Sequence, residues 1–385
     1  MTIDTSLRVT DAAGNFLFET KQFLEIGNDP GLHYVLSCGK VGVLKVTLPP
    51  EFNPLLPKDG RIHVMRSVNG APAQREGESC YLIRKWDYAD DYTTVTAVHA
   101  NHVLWRRHAM WGFYSGGAET GSLVTADDVI KDGLGANMWG DNFGASAASG
   151  NRNAGNIDNQ VDISAYVGVQ ANTGAAPVIY QQWYWQSIGD AVLNICDASF
   201  TAGTYLVAEI VAPTESTLEL RTYTGQRGQD RRFSTGSGLL FTAARGNFAN
   251  GVLTVDAINE ITVAVAGGPG RDNGLEIRGS VDTTRIAESP LGRIEAFVDD
   301  AGGQHTDINA IQADADAAVR AGRPVIQARG DLVDTDTCVR GIHYNFGDLV
   351  TVEVRGIQYD MRVDLLDVTL TQGVETTRAG FFYHG

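Results

Sequence analysis

The chain lacks any closely spaced cysteine pair. Its four cysteines, Cys38, Cys80, Cys196 and Cys338, lie far apart with no C-x-x-C and no dense framework. Reduced, mostly buried thiols are therefore expected, which fits synthesis in a cytoplasm. No apolar run approaches the roughly eighteen residues that a membrane span requires. The opening M-T-I-D-T-S-L-R has neither a basic nor an apolar region, so no signal peptide is expected. Positive charge is also scarce: 30 Lys and Arg against 46 Asp and Glu leave a formal net charge of −16. Nucleic-acid phosphates are gripped by cationic side chains that release counterions, and a surface of this sign does not supply them. Solubility is the plainest use for such a charge.

What remains is ordinary globular material, 385 residues with 43% hydrophobic and 20% charged. That length suffices for two or three domains whose cores need no staples. The dominant pattern is period-two alternation, the mark of half-buried antiparallel strands. From Gly347 the chain reads G-D-L-V-T-V-E-V-R-G-I-Q-Y-D-M-R-V-D-L-L-D-V-T-L-T-Q-G. Val350, Val352 and Val354 share one strand face, Thr351 and Glu353 the other. Arg355-Gly356 supplies the turn, and Met361, Val363 and Leu365 return along the partner strand. Near the front the same grammar recurs in G-R-I-H-V-M-R-S-V-N-G from Gly60, C-Y-L-I-R-K-W-D-Y from Cys80 and D-Y-T-T-V-T-A-V from Asp91. Leu44, Val46 and Leu48 face one way before Pro49 and Pro50 end their strand. Asn69-Gly70 and the acidic stretch 87–92 read as hairpin tips.

Helices are fewer. A short one is expected around Ala100 to His108. Thr125 and Asp128 make a capping box for a second, which Gly133 should end. A third starts at Ser187, with Ile188, Val192 and Ile195 along its buried stripe. The last spans 306–321, with Ile308, Ile311, Ala315 and Val319 at helical spacing before Gly322 and Pro324. Residues 139–156 are rich in Gly, Asn, Ala and Ser and read as a long surface loop.

The expected class is thus mainly β with inserted helices (α+β): two tandem antiparallel β-barrel domains plus a smaller mixed α/β domain. The divisions fall at 1–115 for the first tube-like barrel, 116–238 for the middle domain carrying the 139–156 loop, and 239–385 for the second barrel with its helix at 306–321.

No motif in this pattern carries catalysis. His99, His102 and His108 lie downstream of Asp87, Asp90 and Asp91, but H-A-N-H lacks the glutamate of H-E-x-x-H and no third ligand has a metal spacing. The stretch G-G-P-G-R-D-N-G at 267–274 lacks the Gly-Lys-Ser/Thr ending of a phosphate loop and suits a hairpin connection. G-A-S-A-A-S-G is not a nucleophile elbow. In Asp127/Asp128 and Asp299/Asp300 adjacent side chains point apart, which defeats a paired-carboxylate mechanism; the first pair suits a helical first turn. Trp183, Tyr184, Trp185 and the run Trp105 to Trp111 could line a sugar face, although core and interdomain packing is the plainer reading. No catalytic, cofactor-binding or metal residue is assigned, and no cofactor is expected.

Several segments, in order, resemble the tail-tip or baseplate hub proteins of siphophages, a group that shares its fold with contractile-phage baseplate hubs and the N-terminal part of secretion-system spikes. They are Y-T-T-V-T-A-V-H-A-N-H-V-L-W-R-R-H-A-M-W, T-A-D-D-V-I-K, I-G-D-A-V-L-N-I-C-D-A, G-N-F-A-N with A-V-A-G-G-P-G, R-I-E-A-F-V-D-D, and F-G-D-L-V-T-V with its closing hairpin. The set spans roughly two-thirds of the chain, and its order rather than any single motif carries the likeness. The 139–156 loop departs from it. The resemblance implies a non-enzymatic homotrimer in the virion, made in the host cytoplasm. Each subunit would contribute two similar barrels, so that three copies present a sixfold ring to the tail tube or distal tail protein. The threefold face would take a spike or fibre, with the tape measure protein as a further partner and DNA only in transit. Longer relatives carry lysin or receptor-binding extensions beyond the last barrel strand, where this sequence stops. Two other readings stand beside it: a carbohydrate-binding or envelope-degrading tail protein, and a spike of a contractile secretion system.

Overall fold

The structure, a computed structural model, describes residues 2–107, 113–115, 124–138, 166–179, 181–183, 187–235, 238–268, 276–299 and 308–383. The 139–156 loop, His108, Trp111, Tyr184 and Trp185 lie outside the described residues. Strand makes up 46% and helix 18%, so the class is mainly β with inserted helices.

The N-terminal block holds β1 (Ile3–Thr10), β2 (Phe16–Thr20), β3 (Leu32–Ser37), β4 (Val43–Leu48), β5 (Arg61–Val68), β6 (Gln74–Arg75), β7 (Tyr81–Tyr88) and β8 (Thr93–His99). The middle holds α1 (His102–Trp105), β9 (Phe113–Ser115), α2 (Ala126–Met138), β10 (Val167–Val169), β11 (Gln181–Trp183), α3 (Ile188–Thr201), β12 (Leu206–Val211) and β13 (Leu218–Thr224). The C-terminal block has β14 (Leu240–Phe241), β15 (Phe248–Asp256), β16 (Val263–Gly267), β17 (Ile277–Val281), α4 (Thr283–Ala287), β18 (Glu295–Asp299) and α5 (Ile308–Ala321). It ends in β19 (Val325–Leu332), β20 (Leu349–Val354), β21 (Ile357–Thr371) and β22 (Val374–Phe382).

Both strand-rich blocks are present, but they are not two separate closed barrels. One 14-stranded sheet runs β15-β19-β22-β21-β3-β4-β8-β7-β5-β1-β2, with β6, β14 and β20 off this path. Among the described residues no strand pair closes either half. The cause lies in β21, which at 15 residues is far longer than its 6-residue hairpin partner β20. The first part of one edge pairs with β20, from Ile357↔Val354 to Arg362↔Leu349. The rest of that edge is left for β3, from Leu365↔Ser37 to Leu370↔Leu32, while β22 takes the other edge.

A bulge between Val363 and Leu365 marks the changeover. It also corrects the expected face: Met361 and Val363 point into the core, but the extra residue hands the buried positions on to Leu366 and Val368 and leaves Leu365 only half-buried. Elsewhere the alternation holds. Leu44, Val46 and Leu48 are buried. The turns at Asn69-Gly70 and Arg355-Gly356 have both residues at positive φ (51° and 75°, 52° and 81°), the backbone a two-residue hairpin needs. A single apolar core runs through both halves and includes Leu7, Tyr34, Ile62, Phe241, Val350 and Phe381.

A second core fills the middle of the chain, where α2 and α3 contact each other and β12. The Ser187 hydroxyl accepts the Asp190 N–H at 3.0 Å, capping α3 as its sequence foretells. The Asp190 carboxylate in turn accepts Trp105 Nε1–H at 3.1 Å, and the Trp105 ring lies on Gly189, where any Cβ would clash with it. Ser187→Ala should cost about 1 kcal/mol, measured as a lower urea midpoint at unchanged slope. Two expectations on helix length fail. Helix α1 spans only His102–Trp105. Helix α2 continues past Gly133 to Met138, since a glycine inside a helix costs only about 1 kcal/mol and Val129 and Ile130 are fully packed.

Between β15 and β19 the chain inserts a small module. In it β16 pairs antiparallel with β17 and parallel with β18, and α5 covers one face through Ile311, Ala315 and Val319. The expected start of helix α5 at 306 lies outside the described residues, and Ile308, assigned to its apolar stripe, is exposed.

Candidate functional site

The acids that line one cleft, Asp331, Asp334, Asp367 and Glu375, are each paired with a base, Arg378, Arg66, His33 and Arg340 in turn, and what the fold assembles is a set of buried junctions. The first joins the two halves of the sheet. On β5, Arg66 shares the core face with Ile62 and Val64. On β22, Glu375 occupies the same inward frame as Thr377, Ala379 and Phe381. Strand β5 lies six places from β22 along the sheet path, yet the sheet curls until these side chains meet.

Arg66 Nε donates to Glu375 at 3.2 Å, and its Nη2 donates to Asp334 at 2.6 Å. Arg340, 1% exposed, donates to the same Glu375 oxygen, Oε1, at 2.6 Å and to the Tyr34 hydroxyl at 3.4 Å. Glu76 lies 3.7 Å from Arg340 Nε. Burial would push the Glu375 carboxyl up, but Arg340 and Arg66 outweigh it and hold the group below its ordinary value. Side chains thus bridge the gap that backbone pairing leaves open.

The second junction clamps the loop between β12 and β13 onto the N-terminal block. Arg61 donates to the carbonyls of Ser216 at 2.9 Å and Ala12 at 2.8 Å. Arg75 donates to Pro213 at 3.1 Å and also to Ala212, and Arg8 pairs with Glu215. Under this clamp His63 is wholly buried. Burial, reinforced by Arg75, lowers its pKa to about 4.

The third junction ties the middle of the chain to both halves of the sheet. Glu209 accepts the Gly39 N–H at 2.9 Å and Arg227 Nε–H at 2.8 Å. Arg227 also donates to the Phe346 carbonyl at 2.9 Å and lies over the Phe346 ring, 4.4 Å from its centre. Burial would lower the Arg227 pKa, but Glu209 raises it above the ordinary value. Arg362 stacks 3.4 Å above Tyr205. Charged groups this deeply buried hold only when paired and hydrogen-bonded, so each junction specifies one arrangement of the modules.

The residues weighed in the sequence fall elsewhere. His99 is buried against Tyr81, ring centres 5.7 Å apart, and accepts the Asn101 N–H at 3.3 Å. Desolvation lowers its pKa to about 4. His102 lies on the short α1 and points to no ligand partner; among the described residues no group of three or more His, Cys, Asp or Glu is placed to hold a metal ion.

Asp127 is buried and accepts the Ala175 and Ala176 N–H groups at 3.2 and 3.0 Å. Together with Lys131 it pins the 171–176 segment. Burial pushes its carboxyl up, yet hydrogen bonds led by the Thr173 hydroxyl carry it down to about 2. Trp105 packs on α3, as the packing reading has it. The junction residues escaped the sequence reading, although a signal was there: Arg66 and Glu375 each put a charge at a core-facing position of an alternating strand.

No protein-family profile matches the chain, and no curated protein matches it by sequence. Solved structures do. The fold is similar to that of a tail protein from Neisseria meningitidis MC58, at a TM-score of 0.56 and 14% identity, covering 100% of this chain and 97% of that one. A 43 kDa tail protein of prophage MuSo2 from Shewanella oneidensis matches at 0.54 and 8% identity, covering 98% of each chain. Prophage tail protein gp18 from Listeria monocytogenes EGD-e matches at 0.52 and 10%, covering 98% of this chain and 94% of that one. The chain therefore has a phage tail-protein fold, hub-like in architecture, from end to end.

Proposed function

We propose that this protein is a structural hub of a bacteriophage tail tip or baseplate, acting as a homotrimer in the virion and without enzymatic activity. The end-to-end match to three tail proteins carries the reading. In this reading the two strand-rich blocks of each subunit supply one lobe apiece to a threefold assembly, six in all, which is what a joint between a sixfold tail tube or distal tail ring and a threefold tip requires. The junctions support the same role, because a subunit that passes load between rings needs its modules held in one arrangement. Domain limits at 1–115, 116–238 and 239–385 belong to this proposal, as do partners at the tube, the tape measure and the tip spike or fibre.

Charge adds a mechanism. Three copies carry a formal −48, three times the −16 of one chain, and a lumen of that sign repels DNA phosphates, so a genome passes without sticking. Imaging of the purified chain by electron microscopy should show threefold rings with six outer lobes. A particle that stays solitary at every concentration rules the hub out, and a basic or neutral channel wall in the assembled ring rules out the charge mechanism.

A further inference from the structure

The inserted module has one covered face and one bare face. Ala264, Ala266 and Val298 pack under α5. On the reverse face the register brings together Val281, Val263 and Glu295, then Gly279, Val265 and Phe297, then Ile277, Gly267 and Asp299. Phe297 is 61% exposed, Val281 53% and Ile277 51%, and among the described residues no helix or strand other than α5 packs broadly on this sheet. All-parallel sheets occur almost only with both faces covered, and this sheet, mixed but with β16 and β18 paired parallel, leaves one apolar face open. An uncovered apolar face here is therefore a surface waiting for a cover.

Three observations say what covers it. Exposed apolar groups concentrate in this stretch: nine of the twenty-two exposed large apolar side chains among the described residues fall between Val252 and Ile308. They include Ile258 and Leu291, both over 80% exposed, in the loops that lead into β16 and β18. Five of them, Ile258, Ile277, Val281, Leu291 and Phe297, lie on the bare face or in the loops that lead into its strands; at roughly 100 Å² apiece they offer on the order of 500 Å² of apolar surface, close to the apolar share of the about 800 Å² per partner in a standard interface. That is the scale of a subunit contact, at the upper end of what a monomer leaves bare.

Charge points the same way. A chain of net charge −16 repels its own copies except where its surface is locally balanced. Beside this face the charges are paired, Arg293 with Glu295 at 2.6 Å and Arg278 with Glu276 at 3.5 Å.

We infer that the bare face of the β16–β17–β18 sheet is a self-association surface, covered in the assembled protein by a neighbouring copy of this chain. The inference rests on the homotrimer reading and names where the subunits touch. In a threefold ring the contact is heterologous, so the face meets a different surface on the next copy.

The test is the mass of the full chain in solution by light scattering, for wild type, for Phe297→Asp, for Ile277→Asp, and for Tyr88→Asp as a control at an exposed hairpin tip. Wild type and Tyr88→Asp are expected to be trimers. The two face variants are expected to be monomers at the same concentration, with unchanged circular dichroism and a single cooperative urea transition, because both side chains are half or more exposed in the single subunit. Trimers in all four would overturn the inference and leave the hub standing. A dimeric wild type, or a monomeric one at every concentration, would overturn both.

Discussion

Glu375→Ala loses roughly 3–5 kcal/mol of unfolding free energy, the scale for removing one partner from a buried ion pair. The substitution leaves Arg66 and Arg340, 6% and 1% exposed, without the carboxylate that faces both. Each buried guanidinium at the seam that joins β5 to β22 then keeps one acidic neighbour, Asp334 for Arg66 and Glu76 for Arg340, in place of two. Urea unfolding followed by tryptophan fluorescence reads the loss directly.

Replacing the whole cluster, Arg66→Met, Arg340→Met and Glu375→Leu together with Glu76→Gln and Asp334→Asn so that no acid is left without its arginine, separates charge pairing from simple volume. Apolar groups of similar size in place of a whole buried ionic cluster are often neutral or stabilising, so this variant should recover most of the loss. A loss below about 1 kcal/mol in Glu375→Ala, the range of exposed pairs, would show that the seam does not depend on the network.

Acid produces the other large effect. His63 and His99 each titrate near 4 in the folded protein, against an ordinary value of 6.5. A folded pKa below the unfolded one means that the unfolded chain binds more protons in the interval between them. Stability is then complete above about pH 6.5, falls as pH drops through the window, and levels off for these groups below about 4. At about 1.4 kcal/mol per pKa unit each histidine contributes on the order of 3 kcal/mol to that fall.

The carboxyl groups held low, Glu375 and Asp127, add their own loss at more acid pH, because their stabilisation fades only as pH falls below the ordinary carboxylate range. Urea midpoints taken from pH 7.5 to 4 should slope steeply in wild type. In a His63→Leu, His99→Leu double variant the slope above pH 4.5 should flatten. An unchanged slope there would show that neither ring is kept neutral by the fold.

Much of the local structure could be read directly from residues. The hairpin at Arg355-Gly356, the Ser187 cap, the inward Leu44, Val46 and Leu48, and the tip at 87–92 all depend on neighbours within a few positions, and short-range chemistry decides them. The helix ends were read less well. Gly133 has the composition of a stop, but packing of Val129 and Ile130 carries α2 beyond it. The bulge after Val363 left one trace in the sequence that the alternation reading passed over, the Leu365-Leu366 doublet of β21, and its two successive partners along one edge, β20 and β3, give the reason for the change of register.

The junctions lie at the limit of what a sequence can say. A charge at an inward position, as at Arg66 or Glu375, announces that a partner must exist, yet those two residues are 309 apart along the chain. Alternation, turn chemistry and caps determined that the protein would be built of antiparallel strands in two blocks with a few capped helices, since those rules act over a handful of residues. Tertiary structure alone decided that the blocks share one sheet, that arginines lock it shut, and that one face of the inserted module is left bare. Each of those outcomes turns on which distant surfaces meet, and a buried charge or an open strand edge accepts only the partner that folding brings to it.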